Sequence, residues 1–324
     1  MRWMLLGFLI CACSSNEETK INIKYNRFEK VLFSLNKNNV DSVMIELDKN
    51  FGTFNEIFES QIMQRGNMHD SIYIKELLLF VNHSDMKEAY DSTLVMYSDI
   101  SFLQQDLNNA FSLFDDYFPT YPIPSITTFF GGFNYGVVTY DNNIAIGLEN
   151  FLGYNCKFYR FLRNPEYLRF QKQKKFIVSN IMEVWFDEHF QQYLINRDFL
   201  SQMIYKGKMM LFLEKMLPDM SLQDKFRFSD TQMDWVIKNE LSIWSYFIEE
   251  DVLYSTNESD FRTFLNYGPF ARGMPKEAPA RVAYYIGYKI IKEYINNNKI
   301  DLEDLMYLTD SRQLLRESKY KPRK

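Results

Sequence analysis

The chain has 324 residues, 46% of them apolar and 24% charged, and a formal net charge of −5 at pH 7. A chain of this length and apolar content buries a sizeable core and has room for one or two domains. The acidic balance excludes the basic footprint of a nucleic-acid binder, and three cysteines (Cys11, Cys13, Cys156) exclude a disulfide framework and a multi-cysteine metal site.

The N-terminal MRWMLLGFLICAC carries one basic residue, Arg2, and an apolar run from Leu5 to Ile10. That run is far shorter than the roughly 20 apolar residues that cross a bilayer. Its place at the start, followed by polar SSNEETK, fits a processed signal. ICAC resembles the lipobox of bacterial lipoproteins, with small Ala12 before the cysteine and aliphatic Ile10 three positions before it. Residues 1–12 are then a signal peptide and Cys13 the lipidated first residue, carrying palmitate-like acyl chains worth ~0.8 kcal/mol per buried CH2. Residues 13–25 lack apolar periodicity and read as a tether, with the acidic pair Glu17–Glu18 near the anchor. The expected location is the cell envelope, lipid-anchored to a membrane and facing either the periplasm or the cell surface.

Residues 26–118 have helical spacing and form an expected N-terminal helical subdomain. Leu77, Leu78 and Val81 share a face, as do Phe102, Leu103, Leu107, Ala110, Phe111 and Phe114, with a helix pair joined near Ser98–Ser101. FPTYPIP interrupts the pattern with Pro119, Pro122 and Pro124 and opens an expected core over 119–317. Strand signals occupy only Ser125–Leu148: SITTFF, YGVVTY and NIAIGL, with DNN as a hairpin turn. Helices are expected over Ile177–Phe190 and Phe199–Leu217. SDTQ is a capping box for a helix running to Glu250, its buried stripe being Ile237, Leu241, Trp244 and Ile248. Pro279 is expected to open the next helix, which buries Val282, Ile286 and Ile290 and uses Gly287 for a close neighbour. Residues 318–324 form a basic tail. The predicted class is mainly α with a small antiparallel sheet (α+β).

The stretch GGFNYGVVTYDNNIAIGLENFLG holds five of the twelve glycines. A phosphate cradle needs a helix N-terminus directly after its glycines, and here Gly136 leads into a strand. No cofactor is expected. His69, His83 and His189 are far apart in sequence, so H-E-x-x-H cannot be formed and no metal is expected. His189 sits late in a helix, where the macrodipole favours a cationic imidazole. Cys156 as nucleophile with His189 as base, and Glu183 or Glu188 alongside, is the alternative catalytic set, with no local signature to support it. Glu183, Asp187 and Glu188 read more simply as a solvated face. Arg281, in an expected first helical turn, is oddly placed for a cation and calls for a buried carboxylate or an anionic ligand.

Taken together, the lipobox, the glycine-bearing stretch, MIYKGKMMLFLEKMLP (203–218) and PKEAPARVAYYIGYKIIKEYI (275–295) resemble the GldB-type gliding-motility lipoproteins of the Bacteroidota. FIVSNIMEVWFDEHF sits where that family has an equivalent helix, and the similarity spans roughly Asn26–Glu317. The family in turn resembles zincin-like predicted metallopeptidases. This implies a zincin-like core in which an edge strand overlies a cleft and a helix. Active relatives carry H-E-x-x-H on that helix, where this chain offers MEVWF around Glu183. Where they carry an E-G glutamate, Lys206 precedes Gly207. The resemblance thus implies a non-catalytic lipoprotein that supports gliding motility and the linked type IX secretion machinery through envelope protein partners. Phe133, Asn134, Tyr135, Arg281 and Tyr284 are the expected partner-binding residues. An envelope hydrolase or peptidase with an atypical site is the alternative, and a lipid- or glycan-binding envelope protein a further one.

Overall fold

A computed structural model describes residues 21–64 and 71–322, so Cys11, Cys13 and Glu17–Glu18 lie outside the described residues. Helices dominate, and four strands form one sheet: β1 (Tyr25–Arg27), β2 (Ile126–Phe129), β3 (Val137–Tyr140) and β4 (Asn143–Gly147), in the order β1-β2-β4-β3. A mainly helical chain with one small sheet is what the patterning predicts. The pairing differs from the expected antiparallel sheet. Only β3–β4 is antiparallel, across the DNN turn, while β1–β2 and β2–β4 are parallel. Residues 130–136 carry the chain past β4's place, so β4 returns beside β2 and β3 is left outermost. β1 lies outside the expected strand region. Its three residues, YNR, have no usable alternation, and it is fixed instead by the buried Glu29, which accepts from Arg27 Nε at 2.5 Å and Thr128 Oγ1 at 2.8 Å.

Both faces of the sheet are covered. Ile126, Ile144 and Ile146 enter the larger core, while Phe129 and Ala145 enter a second one built by Phe28, Phe54, Phe58 and Tyr73 of the N-terminal helices. Phe28 meets Phe54 edge-on at 5.0 Å, a favoured aromatic geometry. The helices Ser84–Met96 and Ser101–Tyr117 flank the expected turn. The second of them buries Leu103, Leu107, Phe111 and Phe114 in the larger core beside Trp185 and Phe212.

The centre of that core is the pair Phe199–Met216 and Val282–Asn297. Gly207 and Gly287 meet there backbone to backbone. A Cβ at Gly207 would lie 2.2 Å from the Gly287 carbonyl carbon, and one at Gly287 would lie 2.0 Å from Met203 O. Gly287 therefore serves the close approach its position predicts. Pro279 does not open this helix; Arg281 adopts φ 68° and the helix starts at Val282.

The capping box at Ser229 forms with both reciprocal bonds, but the helix does not run on to Glu250. It divides at Asn239 into Asp230–Lys238 and Glu240–Glu249. The buried stripe is Met233, Val236, Glu240, Ile243 and Phe247, whereas Ile237, Leu241 and Ile248 are exposed. Asn239 leaves helical geometry, and the break rotates the second helix so that Glu240 turns inward. There Tyr285 donates to it at 3.1 Å and Tyr320 at 2.9 Å. Tyr320 also packs edge-on against Trp244, so the expected basic tail is held as far as this residue. Among the described residues, no helix is long and apolar enough to cross a membrane.

Candidate functional site

Among the described residues β3 is paired on one side only. The Gly147 N–H donates to Gly136 O at 2.9 Å, which sets the even-numbered residues of β3 toward β4. The main-chain groups of Val137 and Thr139 therefore face outward. Beneath this edge runs the helix Ile177–Phe190. Ile177, Ile181, Met182, Trp185, Phe186 and Phe190 fill the core, while Asn180, Glu183, Val184, Asp187 and Glu188 form its outer face. Thr139 Oγ1 donates to Glu188 Oε2 at 2.7 Å and ties strand to helix.

Three cavities that share wall residues run outward from the edge. One of about 490 Å³ lies between Thr139, Val184 and Glu188. A second, of about 290 Å³, is lined by Phe133, Val137, Asn180 and Val184 and reaches Tyr267. The third, of about 670 Å³, continues from Tyr267 to Arg227 and Arg281.

Glu183 joins the two arginines. Arg227 Nη2 donates to its Oε1 at 3.0 Å, and Arg281 Nη2 lies 4.0 Å from its Oε2. Both guanidiniums are buried and flanked by rings: Phe176 under Arg227, and Tyr267 and Tyr284 against Arg281 at 4.2 and 4.0 Å. Burial alone would pull the Arg281 guanidinium down; Tyr267, Tyr284 and Glu183 outweigh it and hold it above its ordinary value, so it stays charged. The buried carboxylate expected for Arg281 is thus Glu183. Far from a solvated face, Glu183 is only 15% exposed. Arg227 has no counterpart in the sequence reading. It occupies a left-handed position (φ 60°) after a short helix, a place usually given to glycine, and spacing alone does not mark it.

The positions named for an active zincin-like helix do not assemble a metal site. In the MEVWF register Met182 and Phe186 are wholly buried, Val184 lines the cleft and Glu183 is paired with Arg227. Lys206 lies 3.4 Å from Asp187, which also accepts from Tyr205 at 2.7 Å, and Gly207 is consumed by the helix contact. Among the described residues no three His, Cys, Asp or Glu side chains converge. His189 is packed against Trp185 and Tyr121, and burial pushes its imidazole below its ordinary value against the pull of Glu188. The cationic cap expected at this helix end is therefore a neutral core histidine. Cys156 caps the short helix Lys157–Phe161, and no hydrogen bond links it to His189, so the alternative catalytic set is not brought together. A further cavity of about 810 Å³ lies elsewhere, beside Leu113 and Met216–Met220. Its walls mix Ala110, Leu113, Val178 and Met216 with Asp106, Asp116, Lys175 and Asp219.

Asn134 and Tyr135 are exposed at the turn before β3, and Phe133 packs on Phe158 and Tyr159 in the left-handed region (φ 72°). This turn hangs on Glu149. Its Oε1 accepts from Gly131 N at 2.7 Å and Phe133 N at 3.1 Å, and burial pushes its carboxyl up to about 7 despite those bonds and Lys172.

A family model described as gliding motility protein GldB matches residues 13–322. The chain belongs to the GldB family. No curated protein and no solved structure matches it. Membership gives this GldB-family lipoprotein a role in gliding motility and makes it a membrane-anchored envelope protein. The GldB match begins at Cys13, the residue expected to carry the lipid, and it contains every residue of the cleft.

Proposed function

We propose that this GldB-family protein works without catalysis, gripping an extended segment of an envelope protein of the gliding and type IX secretion machinery along the open edge of β3. The observation that carries the reading is the outward-facing main chain of Val137 and Thr139 beside a cleft whose charged positions are already paired with one another. A strand laid on such an edge gains main-chain hydrogen bonds for affinity, and side-chain pockets on alternate residues supply selectivity. Phe133, Asn134 and Tyr135 would meet the segment at one end, and Arg281 with Tyr284 would form the floor at the other. The zincin-like resemblance fits the same picture: on the helix where active relatives carry H-E-x-x-H, this chain has MEVWF around Glu183. The lipid on Cys13 would keep the cleft close to the membrane that bears the partner.

Site-specific photo-crosslinking in cells tests this. A crosslinker at Asn134 is expected to capture one discrete envelope protein, and one at exposed Val95 is not. Equal labelling from both positions, or none from Asn134, would remove the proposal.

A further inference from the structure

We infer that the apex Phe161–Leu162–Arg163 is a second membrane contact, seating in the headgroup layer of an anionic bilayer and setting which way the tethered body faces it. The inference takes membrane anchoring from family membership and is independent of strand capture at β3. Between Lys157 and Lys175 the chain carries seven cations and one carboxylate, Glu166, although its formal net charge is −5. Within this run Phe161 is 75% exposed and Leu162 52% exposed, and the pair stands directly between Arg160 and Arg163. Two adjacent large apolar side chains left in water add nothing to the core, and a contact that covers them is favourable. The apex has a hydrogen-bonded base. The helix Lys157–Phe161 buries Phe158 and Tyr159, and Tyr159 Oη donates to Glu149 O at 2.7 Å. Leu162 N–H then donates to Phe158 O at 2.9 Å, Arg163 takes a left-handed φ of 55°, and Asn164 N–H donates to Tyr159 O at 2.8 Å. Residues 160–163 are exposed in succession, a projection rather than a groove.

Charge selects the occupant. The nearby carboxylates already have cations: Glu88 pairs with Lys157, and Glu166 lies 3.4 Å from Arg169. Arg160 reaches Asn155 Oδ1 at 3.3 Å, and among the described residues neither Arg160 nor Arg163 is in an ion pair. Two such guanidiniums beside Phe161 and Leu162 match a lipid surface. The guanidiniums take phosphate oxygens, their stems lie along the apolar layer, and the Phe and Leu side chains enter it. A second exposed apolar row, Ile237, Leu241 and Ile248, lacks this complementarity, because exposed Glu249, Glu250 and Asp251 follow it. Reach agrees. Residues 13–20 separate the expected lipid on Cys13 from Ile21, a stretch that spans at most ~28 Å. The lipid therefore keeps the body beside the bilayer without fixing which face meets it. Phe133 packs against Phe158 and Tyr159 on the underside of the apex, so a seated apex also holds the turn before β3 close to the bilayer.

The test reconstitutes the full lipidated chain in vesicles of phosphatidylethanolamine with phosphatidylglycerol, with a photo-crosslinking residue placed at Leu162 or at Ile248. Both positions are 52% exposed, so solvent access alone would label them equally. Lipid adducts, counted by mass spectrometry, are expected to be roughly tenfold more abundant from Leu162, and to fall about as far in vesicles of phosphatidylcholine alone. Arg160→Gln with Arg163→Gln is expected to lower the Leu162 yield similarly. A thermal melt checks the fold of that variant, and the change of vesicle does not depend on it. Equal adducts from both positions would overturn the inference, and so would a Leu162 yield unchanged by lipid charge or by the two substitutions. Capture of a discrete protein from Leu162 in cells, with no lipid adduct, would overturn it in favour of a protein partner.

Discussion

Glu149 is wholly buried, accepts two main-chain N–H groups through one oxygen, and leaves the other oxygen unpartnered. Its carboxyl titrates near 7 in the fold against an ordinary 4.5, so between those values the folded chain holds a proton that the unfolded chain has lost. Stability contributed by the protonated form is present below 4.5 and falls as pH rises to about 7, by ~3 kcal/mol at most. Lys208 acts with the opposite slope. Burial lowers its ammonium to about 7 from 10.5, so the unfolded chain binds more protons in that window and stability rises with pH across it. Chemical denaturation across this range is expected to show a minimum near pH 7. Glu149→Gln, which mimics the protonated acid, should flatten the acid limb and leave the alkaline limb alone. Glu149→Ala strips both N–H groups of their acceptor and should cost roughly 3 kcal/mol, measured below pH 5. None of this was legible in LENF as a sequence. A glutamate after a strand looks solvated, and only the return of the Gly131–Phe133 turn over it makes it an acceptor.

Elements were legible where one local signal sufficed. Runs rich in β-branched and aromatic residues marked β2, β3 and β4, the DNN turn marked the hairpin, and the helix Ile177–Phe190 has the bounds its pattern predicts. Partners were not legible: residue type marks a strand, not which strand lies beside it, so two parallel pairings and β1 were missed. The stripe on Asp230–Glu249 failed for a similar reason, since a single non-helical residue, Asn239, shifted the buried positions. Gly207 stood for a lost ligand neighbour by resemblance, but its place in the fold is a packing contact. Gly207→Ala or Gly287→Ala would drive a methyl into backbone that neither helix can move locally. Each is expected to cost roughly 3 kcal/mol or more, read as a lowered denaturation midpoint. Ser229→Ala, which removes one half of the capping box, should cost only ~1 kcal/mol. A Gly207→Ala chain as stable as the original would show that the two helices are not in contact.

At the scale of the whole molecule, the described residues of this lipoprotein leave the outer edge of β3 without a partner strand. Open edges invite unwanted pairing, and proteins usually blunt them with charge, proline or a covering helix. Here β3 carries only VVTY, and cavities of about 290 and 490 Å³ lie between it and the nearby helix, bridged by the Thr139–Glu188 hydrogen bond. Family membership supplies the motility role, and the edge supplies a physical means for it. Val137→Pro separates the two most directly. Its N–H faces away from β4, so proline there removes an outward donor without breaking a ladder bond. The decisive measurement is gliding by cells whose only copy of the protein carries Val137→Pro, with its amount and melting temperature checked alongside. A folded, normally abundant variant that no longer supports gliding and no longer crosslinks from Asn134 is the predicted result. Undiminished gliding with the same variant would contradict the account.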